Sequence, residues 1–324
     1  MNGVDEVDTA DRYKSFALEQ AHGGSAIYQM LSESIAADAD FIRLLDELPS
    51  IKRQPNLLFG AVRFLDGPIT TFETFKNWTL ENWEQVSAAM QVRLTQTNEV
   101  ARCATLLPLL ARIKGPLALL EVGASAGLCL YPDKYQYQYG EVRVGDPNSP
   151  LVLNCKISGS VPIPDQLPEV VWRGGIDLNP LDLANPDDYR WLESLIWPDQ
   201  PERLDHFRMA ASIVQADPPN LVKGDLNQDL LTLVEEVPTD ATLVIFHSAV
   251  LAYLSQDLRT SFANVVRELP GHWISNEGPR VFPSFAQGLK ERPAGSPARF
   301  LMALDEQPIA WTGPHGQCLE WLAN

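Results

Sequence analysis

The stretch LLEVGASAGLCL, residues 119–130, indicates how this chain folds. It contains an apolar run that ends at Val122, a short segment bounded by Gly123 and Gly127, and then a second apolar run. A short apolar run followed by a glycine-bounded turn is typical of a strand that leads through a tight loop into a helix. The residues of this loop are compatible with two different kinds of site.

The first interpretation of the loop is a serine hydrolase. Residues 123–127 read G-x-S-x-G, which places Ser125 on the sharp turn of a nucleophile elbow. The acid and the histidine of a triad would follow, and His247, His272 and His315 all lie downstream. The residues before the loop look helical and contain no His-Gly-Gly motif for an oxyanion hole, which makes this interpretation the weaker one.

The second interpretation is a loop that holds a nucleotide-like cofactor. Glu121, Gly123 and Gly127 form the pattern Glu-x-Gly-x-x-x-Gly at the end of the strand. In an open α/β sheet, ligands bind beyond the carboxyl ends of the strands, and small residues let the backbone approach them. Ser125 stands in the middle of the loop, which therefore lacks the third glycine of a dinucleotide fingerprint, so NAD is a less favoured cofactor.

The pattern of apolar residues changes near residue 116. Residues 1–95 predict a helical subdomain, and residues 100–113 predict a further helix that Pro108 should kink or break. Alternation of short apolar runs with helical patterns then predicts a mostly parallel α/β sheet over 96–324, closed by an antiparallel hairpin after residue 299. The predicted strands are 117–122, 170–176, 221–223, 241–246 and 272–275, and the predicted helices are 186–196, 201–215 and 256–268.

Composition excludes several classes of function. The 324 residues are 45% hydrophobic and 21% charged, which is typical of a globular protein with a substantial core. A net charge of −17 without a cluster of lysines and arginines disfavours nucleic acid as a partner. Four scattered cysteines predict no metal site, and the lack of a long apolar segment or a signal peptide predicts a cytoplasmic protein without a membrane span.

Two aspartates after later strands are candidates for contacts with the same cofactor. Asp177, in GIDLNP, ends the next strand, and a carboxylate there can accept hydrogen bonds from the two hydroxyls of a ribose. Asp225, in VKGDL, follows another strand and would suit an adenine amino group. Each residue has a structural alternative, because Asp177 can cap a helix and Asp225 can form a turn.

Candidates for the chemistry follow the last two parallel strands. His247 ends the run ATLVIFHS, and Glu277 follows the run HWIS; each is a candidate general base or a group that orients an acceptor. Tyr253, six residues beyond His247, would line the same opening. The structural alternatives are a hydrogen-bonded core histidine for His247 and an Asn-x-Gly turn around Glu277.

A polar segment, QTNEVARC, precedes the first strand by one helix. If that helix packs beside the sheet, its amino-terminal end lies near the glycine loop, so the segment would contribute to substrate binding. The alternative is that these residues cap and solvate the helix. The candidates are Gln96, Asn98, Glu99 and Arg102.

The order of these motifs resembles class I S-adenosylmethionine-dependent methyltransferases over residues 96–324. The resemblance implies a Rossmann-like sheet behind an N-terminal helical subdomain, and transfer of a methyl group to a small-molecule or protein acceptor. Gly127 and Asp177 are 50 positions apart, whereas a dinucleotide fold needs roughly 20, so we expect an insertion at about 131–168, in the form of a hairpin. The implied S-adenosylmethionine-binding residues are Glu121, Gly123, Ser125, Gly127, Asp177 and Asp225.

Nearly the whole chain is also similar to an uncharacterised bacterial family, domain of unknown function 2332. The similarity is carried by EVGASAGLCL, GIDLNPLDL, WPDQPER, IFHSAVLAYL and SNEGP. Cys129 stands where we expect an asparagine from the family, and a thiol cannot make the hydrogen bonds of an amide. This difference favours a third interpretation, a methyltransferase-like binding protein without catalytic activity. No pattern predicts the oligomeric state.

Overall fold

The computed structural model describes residues 8–290 and 299–322 of the chain. Helices fill the described chain before residue 116, as the sequence predicts. No helix in the described ranges is long and apolar enough to cross a membrane. In chain order the eleven described α-helices are α1 (Thr9–Phe16), α2 (Ala26–Ala37), α3 (Ala39–Asp46), α4 (Pro55–Phe64), α5 (Phe72–Glu81), α6 (Trp83–Val92), α7 (Cys103–Leu110), α8 (Pro186–Leu195), α9 (Pro201–Ala216), α10 (Leu230–Val234) and α11 (Gln256–Arg267).

One mixed sheet contains all eleven strands of the described residues. The strands are β1 (Leu117–Val122), β2 (Gln136–Tyr139), β3 (Val142–Val144), β4 (Val152–Ser158), β5 (Val170–Asp177), β6 (Asn220–Lys223), β7 (Thr242–Ser248), β8 (His272–Glu277), β9 (Phe300–Leu304), β10 (Gln307–Thr312) and β11 (Cys318–Trp321). Their spatial order is β3-β2-β4-β11-β10-β9-β8-β7-β1-β5-β6. The sheet is mostly parallel, and β8 to β11 pair antiparallel with one another, so the expected closing hairpin is confirmed.

The described residues cluster into two compact units. One contains residues up to 97 together with 184–205, and it is helical. The other contains residues 98–183 and those from 206 onward, including the whole sheet. Helix α8 therefore belongs to the first unit, although it follows β5 in the chain.

Aromatic side chains form the core of the first unit. The rings of Tyr28 and Phe59 lie 4.4 Å apart, and Trp197 lies 5.9 Å from Phe16 and 5.5 Å from Tyr28. The Trp197 indole N–H also donates to Asn56 at 3.0 Å. The WPDQPER segment thus contributes an anchor to the helical core, which gives this motif a structural role.

β1 is the middle one of five consecutive parallel strands, β6, β5, β1, β7 and β8, and it pairs with β5 on one side and β7 on the other. All six residues of β1 are buried, as expected of a strand covered on both faces. From β1 the chain builds outward through β5 and β6 in one direction, and later through β7 and β8 in the other. The order of the strands therefore reverses between β1 and β7. Such a switch point is where ligands bind in open α/β sheets.

The predicted insertion is a hairpin followed by a further strand. β2 and β3 pair antiparallel around Gly140, and β2 and β4 pair parallel. β4 also pairs with β11, so the insertion extends the sheet beyond its carboxyl-terminal strands. Residues 131–168 thus contain the β2–β3 hairpin and β4.

The inserted strand β2 also explains how helix α7 accommodates a proline. Pro108 lies inside α7 and has no N–H to donate to the carbonyl of Ala104. The hydroxyl of Tyr139 donates to that carbonyl instead, at 2.6 Å. The helix begins as a 3-10 turn at Val100–Arg102 and ends at Leu110, so the predicted helix over 100–113 is shorter than expected.

The helix predicted directly after the glycine loop is not present. The loop leads into a single 3-10 turn, Leu128–Leu130, and then into the inserted hairpin. The residues of this turn and Tyr131 are all buried, so the segment has no polar face that an amphipathic surface helix could expose. Pro132 follows at once and restricts Tyr131 away from helical geometry. The strand–loop–helix prediction was wrong in its last element.

Candidate functional site

Two loops meet at the switch point of the sheet. The glycine loop, residues 123–127, leaves β1, and the β7 loop, residues 249–253, leaves β7. A Cβ atom on Gly123 would lie 2.3 Å from Cγ2 of Val250, closer than van der Waals contact allows. Gly123 is therefore required by the packing of one loop against the other, whatever the site binds.

Replacing Gly123 by alanine is expected to destabilise the protein by about 2–4 kcal/mol, because the clash with Val250 adds to the cost of a left-handed backbone at φ +74°. Gly140→Ala is the matched control, since Gly140 has φ +61° and no atom within 4 Å of the new Cβ. Gly140→Ala should be destabilised only by the left-handed backbone conformation, which costs about 1–2 kcal/mol. Urea unfolding of both variants measures the difference, and equal losses would contradict the packing argument.

Side chains from outside the glycine loop hold its backbone. Asn98 donates from Nδ2 to the carbonyl of Ala124 at 3.2 Å, and its Oδ1 accepts from the amide of Leu128 at 2.8 Å. Oδ2 of Asp177 accepts from the amide of Ser125 at 2.9 Å. Ser125 has φ +51°, a left-handed conformation that a residue other than glycine adopts at a cost. The two braces therefore stabilise a loop whose own sequence would not hold this shape.

Glu121 is the least satisfied group of the site. It exposes 5% of its surface, and its Oε2 has no hydrogen-bond partner among the described residues. Burial raises the pKa of Glu121 well above its ordinary value of 4.5; the Cys129 thiol and the Asp177 carboxyl raise it further, while the Arg102 guanidinium lowers it. A buried carboxyl oxygen without a donor is costly, so Glu121 at the switch point is a candidate for contact with a ligand.

The two predicted cofactor aspartates are placed at neighbouring strand ends. Asp177 ends β5 and is partly buried; its Oδ1 accepts from the amide of Asn179 at 2.8 Å, in addition to the bond from Ser125. Asp225 follows β6, and its Oδ1 accepts from the amide of Asn227 at 2.8 Å. Asp177 therefore supports the glycine loop and caps no helix, since α8 begins only at Pro186, whereas Asp225 realises its structural alternative, a turn.

His247 lies in a buried chain of hydrogen bonds. The indole N–H of Trp273 donates to Nε2 of His247 at 3.0 Å, and because an indole is only a donor, the proton of the neutral imidazole lies on Nδ1. Nδ1 therefore donates to Oε1 of Glu277, at 2.8 Å. His247 is fully buried, and both of its ring nitrogens are engaged, so the geometry favours a positioning role over that of a general base.

Glu277 ties this chain to the β7 loop. Its Oε1 also accepts from the amides of Val250 and Leu251, at 2.9 and 3.1 Å. Its Oε2 is buried and, like that of Glu121, has no hydrogen-bond partner among the described residues. Trp273 was missed by sequence reasoning because it reads as an apolar core residue. The alternation in HWISNE places Trp273 and Glu277 on the same face as Ser275, which is the signal that could have found it.

The polar segment before α7 is divided between the two units. Gln96 lies in the first unit, whereas Asn98, Glu99 and Arg102 lie in the second with the sheet. Arg102 is buried; its Nε donates to the carbonyl of Pro314 at 2.9 Å and its Nη1 to that of Ser248 at 3.0 Å. Glu99 is also buried, and its Oε2 lies 3.5 Å from Nδ1 of His315. The side chain of Glu99 caps the turn that contains Arg102. The loop between β10 and β11, from which the sequence analysis considered only His315 as a possible triad histidine, thus contacts Glu99 and Arg102.

Cys129 and Tyr253 complete the set of predicted residues. The Cys129 thiol is buried and donates to the carbonyl of Glu99 at 3.4 Å, and a hydrogen bond with Cys103 together with burial raises its pKa. Tyr253 exposes 76% of its surface at the end of the β7 loop. The protein around its hydroxyl raises the pKa of Tyr253; the charge of Arg102 opposes this rise and that of Glu277 adds to it.

The geometry of a serine hydrolase is incomplete. The Oγ of Ser125 is buried and has no hydrogen-bond partner in the described part of the chain. His247 is held by Trp273 and Glu277, and His272 pairs with Asp305 at the start of β8, the opposite end of the sheet. The helix that follows a nucleophile elbow is also missing.

The site contains no arrangement typical of a metal centre. Within residues 8–290 and 299–322, no group of three or more histidine, cysteine, aspartate or glutamate side chains could hold an ion. The four cysteines are free thiols. What distinguishes the site is its charge: the charged side chains that are buried in the described chain, apart from His247, are Glu99, Glu121, Glu277 and Arg102.

Comparison with known proteins identifies the family. No match was found among curated proteins. The family model described as "uncharacterized protein conserved in bacteria", domain of unknown function 2332, matches residues 10–321. The match covers both structural units and every residue of the switch-point site. The chain therefore belongs to the bacterial family domain of unknown function 2332.

Proposed function

We propose that the sheet-containing unit binds S-adenosylmethionine and transfers its methyl group to a small-molecule or protein acceptor. The observation that carries the proposal is the buried carboxyl of Glu121, which has an unpartnered oxygen at the switch point of a parallel sheet. The buried carboxyl groups of three glutamates stand against the single buried guanidinium of Arg102, so acidic side chains predominate in this region. A ligand with a positive charge and N–H donors would satisfy both features.

The residues present fit this cofactor. Glu121 would accept from the ammonium group or stabilise the sulfonium charge, and the carboxylate of Asp177 would accept from the ribose hydroxyls. Asp225, beyond the end of the adjacent β6, would accept from the adenine amino group. When bound, S-adenosylmethionine supplies a methyl group on a positively charged sulfur.

The order of the strands also supports the proposal. β6, β5, β1, β7 and β8 are consecutive parallel strands, and β9 is antiparallel next to β8. Five parallel strands with an antiparallel neighbour are compatible with a Rossmann-like class I methyltransferase sheet. We therefore propose that fold for residues 98–183 and those from 206 onward, with the inserted β2–β4 segment as an addition to it.

Within this function the chain's own residues mainly position the reactants. Asn98 and Asp177 hold the glycine loop, and Glu277 holds the β7 loop, so both walls of the switch point are fixed before a ligand binds. Arg102 connects the carbonyl of Ser248 with the loop after β10. Methyl transfer depends largely on alignment of acceptor and donor, and a rigid site supplies this.

Calorimetric titration with S-adenosylmethionine and S-adenosylhomocysteine tests the proposal. We expect the unmodified chain to bind both, and Asp177→Ala to weaken binding at least about tenfold, because a charged hydrogen-bond acceptor is lost. Asp240→Ala is the matched control: it removes an exposed aspartate just before β7, at the opposite end of the sheet, and should change nothing. Absence of binding by either ligand would refute the proposal. Binding without transfer to any acceptor would identify a binding protein instead.

A further inference from the structure

A second buried carboxyl group lies at the switch point, apart from Glu121. Oε1 of Glu277 accepts from His247, Val250 and Leu251, whereas Oε2 is buried without a donor in the described ranges. Glu121 is paired in register with Phe246, and Glu277 lies on the face of His247. Because neighbouring residues of a strand point to opposite faces, the two unpartnered oxygens belong to different parts of the site. One ligand group is therefore required for each.

An exposed aromatic residue, Tyr253, lies two positions beyond Leu251, one of the two residues whose amides donate to Glu277. Tyr253 closes the 3-10 turn Leu251–Tyr253, whose first amide donates to Glu277. Leu251, which donates to Glu277 at 3.1 Å, and Tyr253 belong to one short turn, so the hydrogen bond fixes the position of the carboxyl group relative to the backbone that carries the aromatic ring. A carboxyl oxygen without a donor and an exposed aromatic ring are the two elements of an ammonium-binding site.

We propose that Oε2 of Glu277 and the ring of Tyr253 bind an alkylammonium group of the methyl acceptor. This inference rests on the proposed function, since it identifies the chemical class of the acceptor for the same site. The Trp273–His247–Glu277 chain is then a positioning device: it directs Oε1 to the β7 loop and leaves Oε2 for the ligand.

The charge around Glu277 agrees with a cationic ligand. The buried cation of the region, Arg102, is directed at the carbonyls of Pro314 and Ser248 and lowers the pKa of Glu121. His247 is a donor to Glu277 through its neutral tautomer and brings no positive charge. Glu277 therefore has no cationic partner among these neighbours, and an ammonium group would supply one.

The test uses n-butylammonium as the probe and n-butanol as its neutral analogue, with and without saturating S-adenosylhomocysteine. Binding to the full chain is followed by ligand-observed NMR. We expect butylammonium to bind and butanol not to bind. Glu277→Gln should weaken butylammonium binding about tenfold or more, and Tyr253→Ala about threefold, as loss of a charge pair and of a cation–π contact predict. An acetylated Gly-Lys-Gly amide, tested in the same way, distinguishes a lysine side chain from a free amine.

Two controls separate this inference from other causes. Glu306→Gln removes a carboxylate from the turn between β9 and β10 and should leave butylammonium binding unchanged. Tyr253 is exposed, so Tyr253→Ala decides the matter where Glu277→Gln lowers the folded fraction. The inference would be overturned if butylammonium failed to bind the unmodified chain. It would also be overturned if Glu277→Gln and Tyr253→Ala bound butylammonium as tightly as the unmodified chain does. S-adenosylmethionine binding in the same samples reports on the proposed function separately, because that ligand uses Glu121 and Asp177.

Discussion

Replacing Glu121 by leucine is expected to stabilise the protein and to remove its affinity for S-adenosylmethionine. A buried charge replaced by an apolar group of similar volume typically gains about 1–4 kcal/mol when the charge has no partner to lose. Oε2 of Glu121 has no partner among the described residues, and its neighbours on β1 are apolar. Opposite effects on stability and on ligand binding are typical of a group that is retained for function.

The gain in stability should depend on pH in a definite direction. Burial raises the pKa of Glu121 in the folded state well above its ordinary value of 4.5. Below 4.5 both states hold the proton and the carboxyl group costs no charge burial. As the pH rises above this value, the unfolded state releases its proton first, so the free energy of unfolding of the unmodified protein falls until the folded pKa is passed. The free energy of unfolding of Glu121→Leu should therefore exceed that of the unmodified protein by an amount that grows over the same pH range.

Urea unfolding between pH 4 and pH 8 measures the gain in stability. Calorimetric titration measures the loss of affinity for S-adenosylmethionine. Glu121→Gln keeps the shape and a hydrogen-bonding group but not the charge, so it should also bind S-adenosylmethionine about 10- to 100-fold more weakly. A loss of stability in Glu121→Leu at pH 7 would mean that the carboxyl group has a partner within the protein. Unchanged binding in both variants would show that the ligand does not contact it.

Replacing His247 by alanine is expected to destabilise the protein by about 3–5 kcal/mol. The substitution leaves a cavity beside the ring of Phe262, which lies 5.6 Å from the His247 ring. It also removes the acceptor of the Trp273 indole N–H and one donor to Glu277. All of these groups are buried, so water cannot replace the lost hydrogen bonds without cost.

His272→Ala is the matched control for His247→Ala. His272 also donates from Nδ1 to a carboxylate, that of Asp305, at 2.8 Å, but both side chains are exposed. Exposed pairs contribute about 0–1 kcal/mol to stability, so the control should unfold at nearly the same urea concentration as the unmodified protein. The urea midpoints of the two variants give the comparison. A loss in His247→Ala as small as that in His272→Ala would contradict the description of a buried hydrogen-bonded chain.

Parts of the candidate site could be predicted from residue patterns alone. Glu121, Asp177 and His247 follow apolar runs, and parallel strands bring their carboxyl ends to one edge, so the three were expected together. Asn98 was a candidate for the same region because it lies at the start of the helix that directly precedes β1. Its contact with the glycine loop depends on how α7 packs on the sheet, and this packing is not encoded in the spacing of the motif.

Other features of the site could not be read from the pattern. Ser125 has the neighbours of a nucleophile elbow, and only the structure shows that its Oγ makes no hydrogen bond to a histidine or to any other described residue. Trp273 reads as an apolar residue, yet its N–H determines the tautomer of His247. The loop after β10 reaches the site through backbone carbonyls, which carry no sequence signature.

The sequence by itself determined the alternation of strands and helices, because burial on both faces of a parallel strand requires a continuous apolar run and each run is visible in the chain. It also determined the insertion, because the 50 residues between Gly127 and Asp177 exceed what one crossover needs. Only the tertiary structure decided which polar groups are satisfied. Hydrogen bonds such as those of Asn98, Trp273 and Arg102 join residues far apart in sequence, and whether a buried carboxyl oxygen finds a donor depends on the distances that folding creates.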